Sequence, residues 1–201
     1  MIIDLSMTLN ALMPVYPGDP VVVIEQIADI AADGYAVTRI SMGTHSGTHV
    51  DLPGHVIADG HTAESYPLSN LIGEAVLVSI PADAKIITAN LLCEYEIEYG
   101  DIVIFHTGWD QHVNTDNYYH GYPYIDLSAA EHLIECGVKC VGIDTPTVDP
   151  EESDLPVHHI LLSHNIAIVE GLVNLQSIDR QRFHFQALPL KIFTADASPV
   201  R

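Results

Sequence analysis

Residues 43–55 read GTHSGTHVDLPGH and hold three of the chain's twelve histidines together with one aspartate. Imidazole nitrogens crowded against a carboxylate are the donor set of a divalent cation. His45, His49 and Asp51 are therefore candidate metal ligands, with His55 close behind. A helix does not explain the spacing, because Gly43, Thr44, Gly47, Thr48 and Val50 are poor helix formers. The H-E-x-x-H pattern fails as well, since Ser46 follows His45 and supplies no base. On a strand, His45, Gly47, His49 and Asp51 share a face, but a fully extended chain would hold the two histidines about 13 Å apart. One metal with bonds of about 2.1 Å cannot span that. Either the chain curls at Ser46-Gly47, or the histidines serve two metals with Asp51 between them, one oxygen for each. His55 follows Pro53-Gly54, where the chain changes direction, which makes it the candidate proton-transfer base rather than a fourth ligand in the same plane.

Further ligands must come from elsewhere, and VHHILLSHNIAIVEGL at 157–172 offers His158, His159, His164 and Glu170. His158 and His159 both share a helical face with leucines, so periodicity does not choose between them. His164 falls at a helix end, where a protonated imidazole is favoured for reasons unrelated to catalysis. Glu170 closes the apolar run IAIV, an unusual place for an acid with no partner. Mixed nitrogen and oxygen donors suit zinc or manganese better than magnesium or calcium. Cations held there would acidify water and polarise an amide carbonyl. Two other classes fit part of the pattern. A non-haem Fe(II) oxygenase would use His49, Asp51 and His158 as a 2-His-1-carboxylate triad, leaving His45, His55 and Glu170 idle. A non-catalytic metal-binding module would make His55 dispensable.

These residues need elements to hold them. Apolar, β-branched runs of strand length recur at 21–27, 36–42, 74–80, 101–105, 139–143, 166–169 and 183–192. Helical signals fall between several of them. Ser128-Ala-Ala-Glu131 reads as a capping box, with Gly137 as the stop. Pro156 suits a first helical turn and Asn165 its end, and 88–95 reads as a weaker helix. The expectation is one α/β domain over 1–201 around a mixed central sheet with short helices. Pro14, Pro17, Gly18 and Pro20 make residues 1–20 an extended, turning arm.

The bulk composition narrows the partners. Twenty-seven acids against seven Lys and Arg leave a formal charge of −20, which repels nucleic acid and anionic lipid. The start MIIDLSMTLN lacks a basic region and is broken by Asp4, so it does not read as a signal peptide. No apolar run nears the roughly 20 residues of a membrane span. Three cysteines without a C-x-x-C spacing read as reduced, in a cytoplasmic protein, and buried rather than reactive. The stretch NYYHGYPY carries Tyr118, Tyr119, Tyr122 and Tyr124, and surface packing is the expectation for it, ahead of a pocket wall.

The segment HSGTHVDLPGH resembles the H-x-G-T-H-x-D-x-P-x-H signature of the cyclase family of metal-dependent hydrolases, which includes bacterial kynurenine formamidases and isatin hydrolases. YPGDP at 16–20, TGW at 107–109, GIDTPTVD at 142–149, HHILL…IVEGL at 158–172 and DASPVR at 196–201 extend the likeness over essentially the whole chain. The resemblance implies a swivelling β/β/α-like domain and metal ligands at His45, His49, Asp51, His158 and Glu170. It implies a catalytic role for His55, and the step from His158 to Glu170 selects His158 over His159. It further implies a small-molecule amide substrate, a formamide or cyclic amide with N-formylkynurenine the first candidate, two zinc or manganese ions per chain, and a homodimer or homotetramer. The apolar MPVYP of the arm would lie at the subunit contact. Tyr16 stands where formamidases usually carry Trp, and Leu52, Gly54 and Val56 depart from their D-A-P-x-H-[FY] pattern. These positions are expected near the substrate, with Tyr16 a candidate substrate-binding residue.

Overall fold

The computed structural model describes residues 1–201. Its strands are β1 (Val23–Ala28), β2 (Val37–Ser41), β3 (His49–Asp51), β4 (Ile72–Ser79), β5 (Ile86–Ile87), β6 (Ile102–His106), β7 (Tyr124–Ile125), β8 (Cys140–Ile143), β9 (Ala167–Glu170), β10 (Arg182–Gln186) and β11 (Ala197–Pro199). Its α-helices are α1 (Ile30–Asp33), α2 (Ala89–Leu92), α3 (Leu127–Cys136) and α4 (Pro156–Ser163). Seven strands form one mixed sheet in the order β10-β4-β6-β8-β9-β3-β11. The inner four, β4, β6, β8 and β9, run parallel, and antiparallel strands flank them on both sides.

The inner strands are apolar on both faces because both faces are covered. Val76, Val78, Val103, Phe105, Val141, Ile143 and Ile168 point toward a core that includes Leu92, Leu133, Leu161 and Leu162 of the helices. Their neighbours Ala75, Leu77, Ile102, Ile104, Cys140, Ala167 and Val169 point the other way, onto Leu52, Tyr66, Leu175 and Phe185. Period-two alternation thus builds two cores from one sheet. The mixed α/β architecture expected from the strand and helix runs is the one observed.

Several local expectations are corrected. The run 183–192 is a strand only to Gln186; Leu188, Leu190 and Ile192 are exposed, and Pro189 cannot donate to a ladder. The N-cap of α3 is Asp126, not Ser128: its Oδ1 accepts from Ala129 N at 2.9 Å and from Ser128 Oγ at 2.6 Å. Gly137 does end that helix, in the left-handed conformation, and Pro156 opens α4. Segment 88–95 forms only the single turn α2. Of the cysteines, only Cys140 is buried; Cys136 is half-buried and Cys93 exposed, and none is in a disulfide. β3 and β11 are too short to show as periodic runs. No helix is long and apolar enough to cross a membrane.

The hairpin β1–β2 pairs with no other strand, and Val23, Ile24, Ile27, Val37 and Ile40 on it are exposed. Before it, the arm has no strand or helix, as expected, and is fixed at Thr48, whose Oγ1 accepts from Met7 N at 2.8 Å. Replacing Asp126 by Ala removes a helix cap and is expected to cost about 1 kcal/mol of stability. Ser128→Ala is expected to cost less, both read from urea unfolding midpoints.

Candidate metal centre

Two sheet registers and one helix bring the polar cluster together. β3 lies antiparallel to β9, so that His49 faces Glu170 across the ladder. β11 pairs on the other side of β3, with Ala197 opposite Asp51, which brings the preceding Asp196 alongside. α4 packs against β9 and delivers His158. Of the two expected alternatives at residues 45–49, the chain takes the curl. Gly47 has φ of 67°, and a β-carbon there would lie 2.9 Å from Leu9 Cδ2 and 3.1 Å from Met13 Cε. The curl brings the His45 and His49 rings to a centroid distance of 5.1 Å. Thr48, within it, donates its hydroxyl to Gly171 O at 2.6 Å and so ties the curl to the residue after Glu170.

Asp51 sits at the centre and is buried. Its Oδ1 is 2.8 Å from His45 Nδ1 and 3.4 Å from His49 Nε2, and its Oδ2 is 3.1 Å from His158 Nε2. Glu170 is 3.3 Å from His158 Nε2 through Oε1 and 3.6 Å from His49 Nε2 through Oε2. The helix resolves the ambiguity of periodicity: His158 is buried and His159 exposed. His164 caps the end of α4 at the surface, its Nδ1 2.8 Å from Ile160 O. All five residues expected as ligands are thus brought together. The structure also groups them in a way that sequence spacing does not show. Donor atoms of His45, Asp51 and His55 lie within 4.8 Å of one another, as do those of His49, Asp51 and Glu170. His55, expected to stand off the plane, is therefore beside the cluster, with its ring 4.3 Å from that of His45.

The far nitrogen of each candidate ligand is tied down. His49 Nδ1 lies 2.8 Å from Gly47 O, His45 Nε2 lies 2.9 Å from Asp196 Oδ2, and His158 Nδ1 lies 2.6 Å from Asp149 Oδ2. Such outer partners fix the ring and leave one nitrogen for a metal. Asp149 also accepts from the backbone N–H groups of Val157 and His158, at 2.8 and 3.0 Å. It therefore caps α4, whose own cap position, Leu155, offers no side-chain bond. Asp196 Oδ2 lies 3.3 Å from His55 Nδ1 as well. Asp149 and Asp196 lie within the strings GIDTPTVD and DASPVR, yet nothing in their spacing from the histidines reveals these roles.

Two buried atoms, His49 Nε2 and Asp51 Oδ1, make no well-aligned hydrogen bond, the 2.8 Å approach of His45 Nδ1 to Asp51 Oδ1 being an ion-pair contact off the bonding direction. Buried polar atoms are otherwise almost always paired, and both of these face the same group of nitrogen and oxygen donors. The arrangement fits a divalent metal ion. Charge tells the same story. Burial disfavours an imidazolium at His45, yet Asp51 and then Asp196 hold its pKa up at about 10. Burial likewise opposes the charged form of His158, but Glu170, Asp149 and Asp51 raise it well above the usual value. Burial pushes Asp51 up and its histidines outweigh that, leaving it well below a normal carboxylate. Burial, followed by the charges of His45 and His158, lowers His55 despite the opposing pull of Asp51.

Above the cluster opens a cavity of about 320 Å³. Its wall includes Tyr16, as expected, together with Tyr118, Tyr119 and Tyr122, so these three line a pocket rather than pack at the surface, while Tyr124 lies in β7 and does not line it. Tyr16 and Tyr119 meet edge to face at 5.7 Å. Leu52, Gly54 and Val56 do not line it: Leu52 is fully buried and Val56 packs on the helix-side core.

A histidine and carboxylate cluster at the carboxyl end of a parallel strand, under an aromatic cavity, is the layout of a metal-dependent α/β enzyme. The profile of a family described as "Putative cyclase" matches residues 3–150, and the chain belongs to this family. A kynurenine formamidase of Erythrobacter litoralis is 37% identical over 98% of this chain and 90% of its own length. The structure of a "potential metal-dependent hydrolase with cyclase activity" shares 29% identity with a TM-score of 0.84, covering 99% of this chain and 94% of that one. Isatin hydrolase A from Ralstonia solanacearum shares 25% identity with a TM-score of 0.86, covering 99% and 89%.

Because His45 and His158 hold protons that a metal must displace, loading the metal-free protein near pH 7 is expected to release at least about one proton per chain. Affinity is expected to rise with pH toward about 10, where His45 deprotonates unaided. Calorimetric titration in buffers of different ionisation enthalpy measures both. Asp149→Ala is expected to weaken metal binding by about 10–100-fold, since His158 loses its orienting partner.

Proposed function

We propose that the chain is a metal-dependent amidohydrolase that cleaves a small formamide or cyclic amide, with N-formylkynurenine the first substrate to try. The observation that carries this reading is the pair of buried atoms without a well-aligned hydrogen bond, His49 Nε2 and Asp51 Oδ1, in the lining of a cavity that also holds His55. The similarity to a kynurenine formamidase and an isatin hydrolase supports the choice of amide. His45, His49, Asp51, His158 and Glu170 would hold the ions, zinc or manganese and two per chain. When bound, such cations acidify water and draw electron density from an amide carbonyl.

The chain's own groups do the rest. Asp196 Oδ2 accepts from His55 Nδ1, which leaves His55 Nε2 as the free nitrogen. With its pKa lowered, that nitrogen is unprotonated at neutral pH. It takes the proton from the attacking water and passes it to the amide nitrogen as the C–N bond breaks. The tyrosine wall, Tyr16 included, holds the organic part of the substrate and excludes water. An oxygenase triad of His49, Asp51 and His158 would leave His45 and Glu170 without a task, although both pack into the same cluster.

The reading extends to the assembly. The exposed apolar side chains of β1–β2 and of the arm, Leu12 and Tyr16 among them, support a homodimer or homotetramer that covers them. The absence of disulfides supports a cytoplasmic setting. The surface charge of −20 supports a small-molecule substrate rather than nucleic acid or a membrane.

His55→Ala is expected to keep metal content near that of the native protein and to slow amide hydrolysis by about 10²–10⁴-fold. His49→Ala is expected to lose metal and activity together. If His55→Ala strips the metal, or leaves amide turnover untouched, His55 is not the proton carrier. Elemental analysis at saturation is expected to give two ions per chain, a firm single ion arguing against the dinuclear form. Light scattering at micromolar concentration is expected to show no monomer.

A further inference from the structure

The upper part of the cavity is chemically unlike its floor. Tyr118 and Tyr122 are nearly fully buried and line it, yet neither hydroxyl bonds to any group of the chain, and neither is among the sealed unpaired atoms. Their hydroxyls therefore keep some access to solvent, on side chains that line the cavity. Burial first, and then acidic neighbours that include Glu170, keep both phenols protonated far above neutral pH. They are neutral groups able to donate and accept. None of the seven Lys and Arg side chains lines the cavity. Lys85, which reaches the tyrosine loop, is bonded to Gly121 O and lies over the Trp109 ring instead. The charged group on the upper wall is Asp19, which follows Tyr16 in a turn closed by a 3.0 Å backbone bond. Asp19 has no side-chain partner and stands close enough to Tyr119 to raise its pKa, second only to burial. The carboxylates at the floor, Asp51 and Glu170, face histidines and the cation they fit.

Resting on the hydrolase reading, whose substrate candidates are aryl amides, we infer that Asp19 turns away those whose ring carries a net negative charge. The ring lies against the tyrosines, and the free phenol hydroxyls hydrogen-bond a neutral polar substituent. A carboxylate or sulfonate on that ring meets an unpaired acid there and finds no Lys or Arg side chain to pair with. A zwitterion remains admissible, its ammonium toward Asp19 and the ring faces.

The test uses the metal-loaded protein and two nearly isosteric formanilides, 4-(methylsulfonyl)formanilide and 4-formamidobenzenesulfonate. The sulfone is expected to have a kcat/KM at least about fivefold higher, the size of effect that one unpaired charge exerts at close range in a partly wet site. Asp19→Asn is expected to shrink the ratio, and Asp19→Lys to reverse it. Calorimetric binding of methyl phenyl sulfone and benzenesulfonate, which have no amide to cleave, reads the same preference without turnover. Equal or better use of the sulfonate, or a ratio that Asp19 variants do not move, overturns the inference. Hydrolysis of neither formanilide, with the sulfone still preferred in binding and the preference still set by Asp19, overturns the hydrolase reading and leaves the charge selection standing.

Discussion

The structure depends on one buried carboxylate. Asp51 is almost wholly removed from water and would be too costly there alone. It is tolerated because three imidazoles surround it, two on Oδ1 and one on Oδ2. Those imidazoles belong to chain segments far apart: the curl before β3, β3 itself, and α4. Breaking any one of them leaves an uncompensated charge in the interior, which costs far more than a lost surface pair. The fold around Asp51 is thus coupled to its electrostatics, and a cation that satisfies His49 Nε2 and Asp51 Oδ1 would complete the same balance.

The sheet supplies rigidity where the cluster needs it. The inner parallel strands are apolar on both faces and carry no chemistry until β9 ends at Glu170. Chemistry is carried by the short flanking strand β3, by the residue just before β11, and by the loop and helix that follow β8. Two acids do double duty. Asp149 caps α4 and orients His158, so the helix start and the ligand geometry are one structure. Asp196 holds the back of His45 and of His55, so the candidate ligand and the candidate base share an anchor. Their distances from the histidines in sequence, 151 residues between His45 and Asp196, hide that sharing.

Above the cluster the wall has a different character. Phenols kept neutral by burial line it, together with Asp19, an exposed acid without a side-chain partner. For the same tyrosine loop, surface packing was the expectation from sequence. What turns it inward is contact with the arm, where Tyr16 packs edge-on to Tyr119, and with Trp109, whose Nε1 donates to Tyr118 O at 2.8 Å.

The strands and helices were legible wherever burial imposes a period. The alternating faces of β4, β6 and β8, the helix stop at Gly137 and the helix start at Pro156 follow from local physics, and the curl at Gly47 was one of the two arrangements that the spacing left open. The donor types at His45, His49 and Asp51 were legible because imidazole and carboxylate rarely crowd within seven residues by chance. The choice of His158 over His159 came from family resemblance, since both share leucines on a helical face; packing of α4 on β9 decides it by burying one and exposing the other. β3 and β11, at three residues each, carry no periodic signal and exist only because neighbouring strands offer them ladder bonds. The roles of Asp149, Asp196 and Asp19 were decided by tertiary structure alone. A single aspartate looks the same in sequence whether it faces water, a helix start or an imidazole, and only the register of distant strands determines which of these it meets.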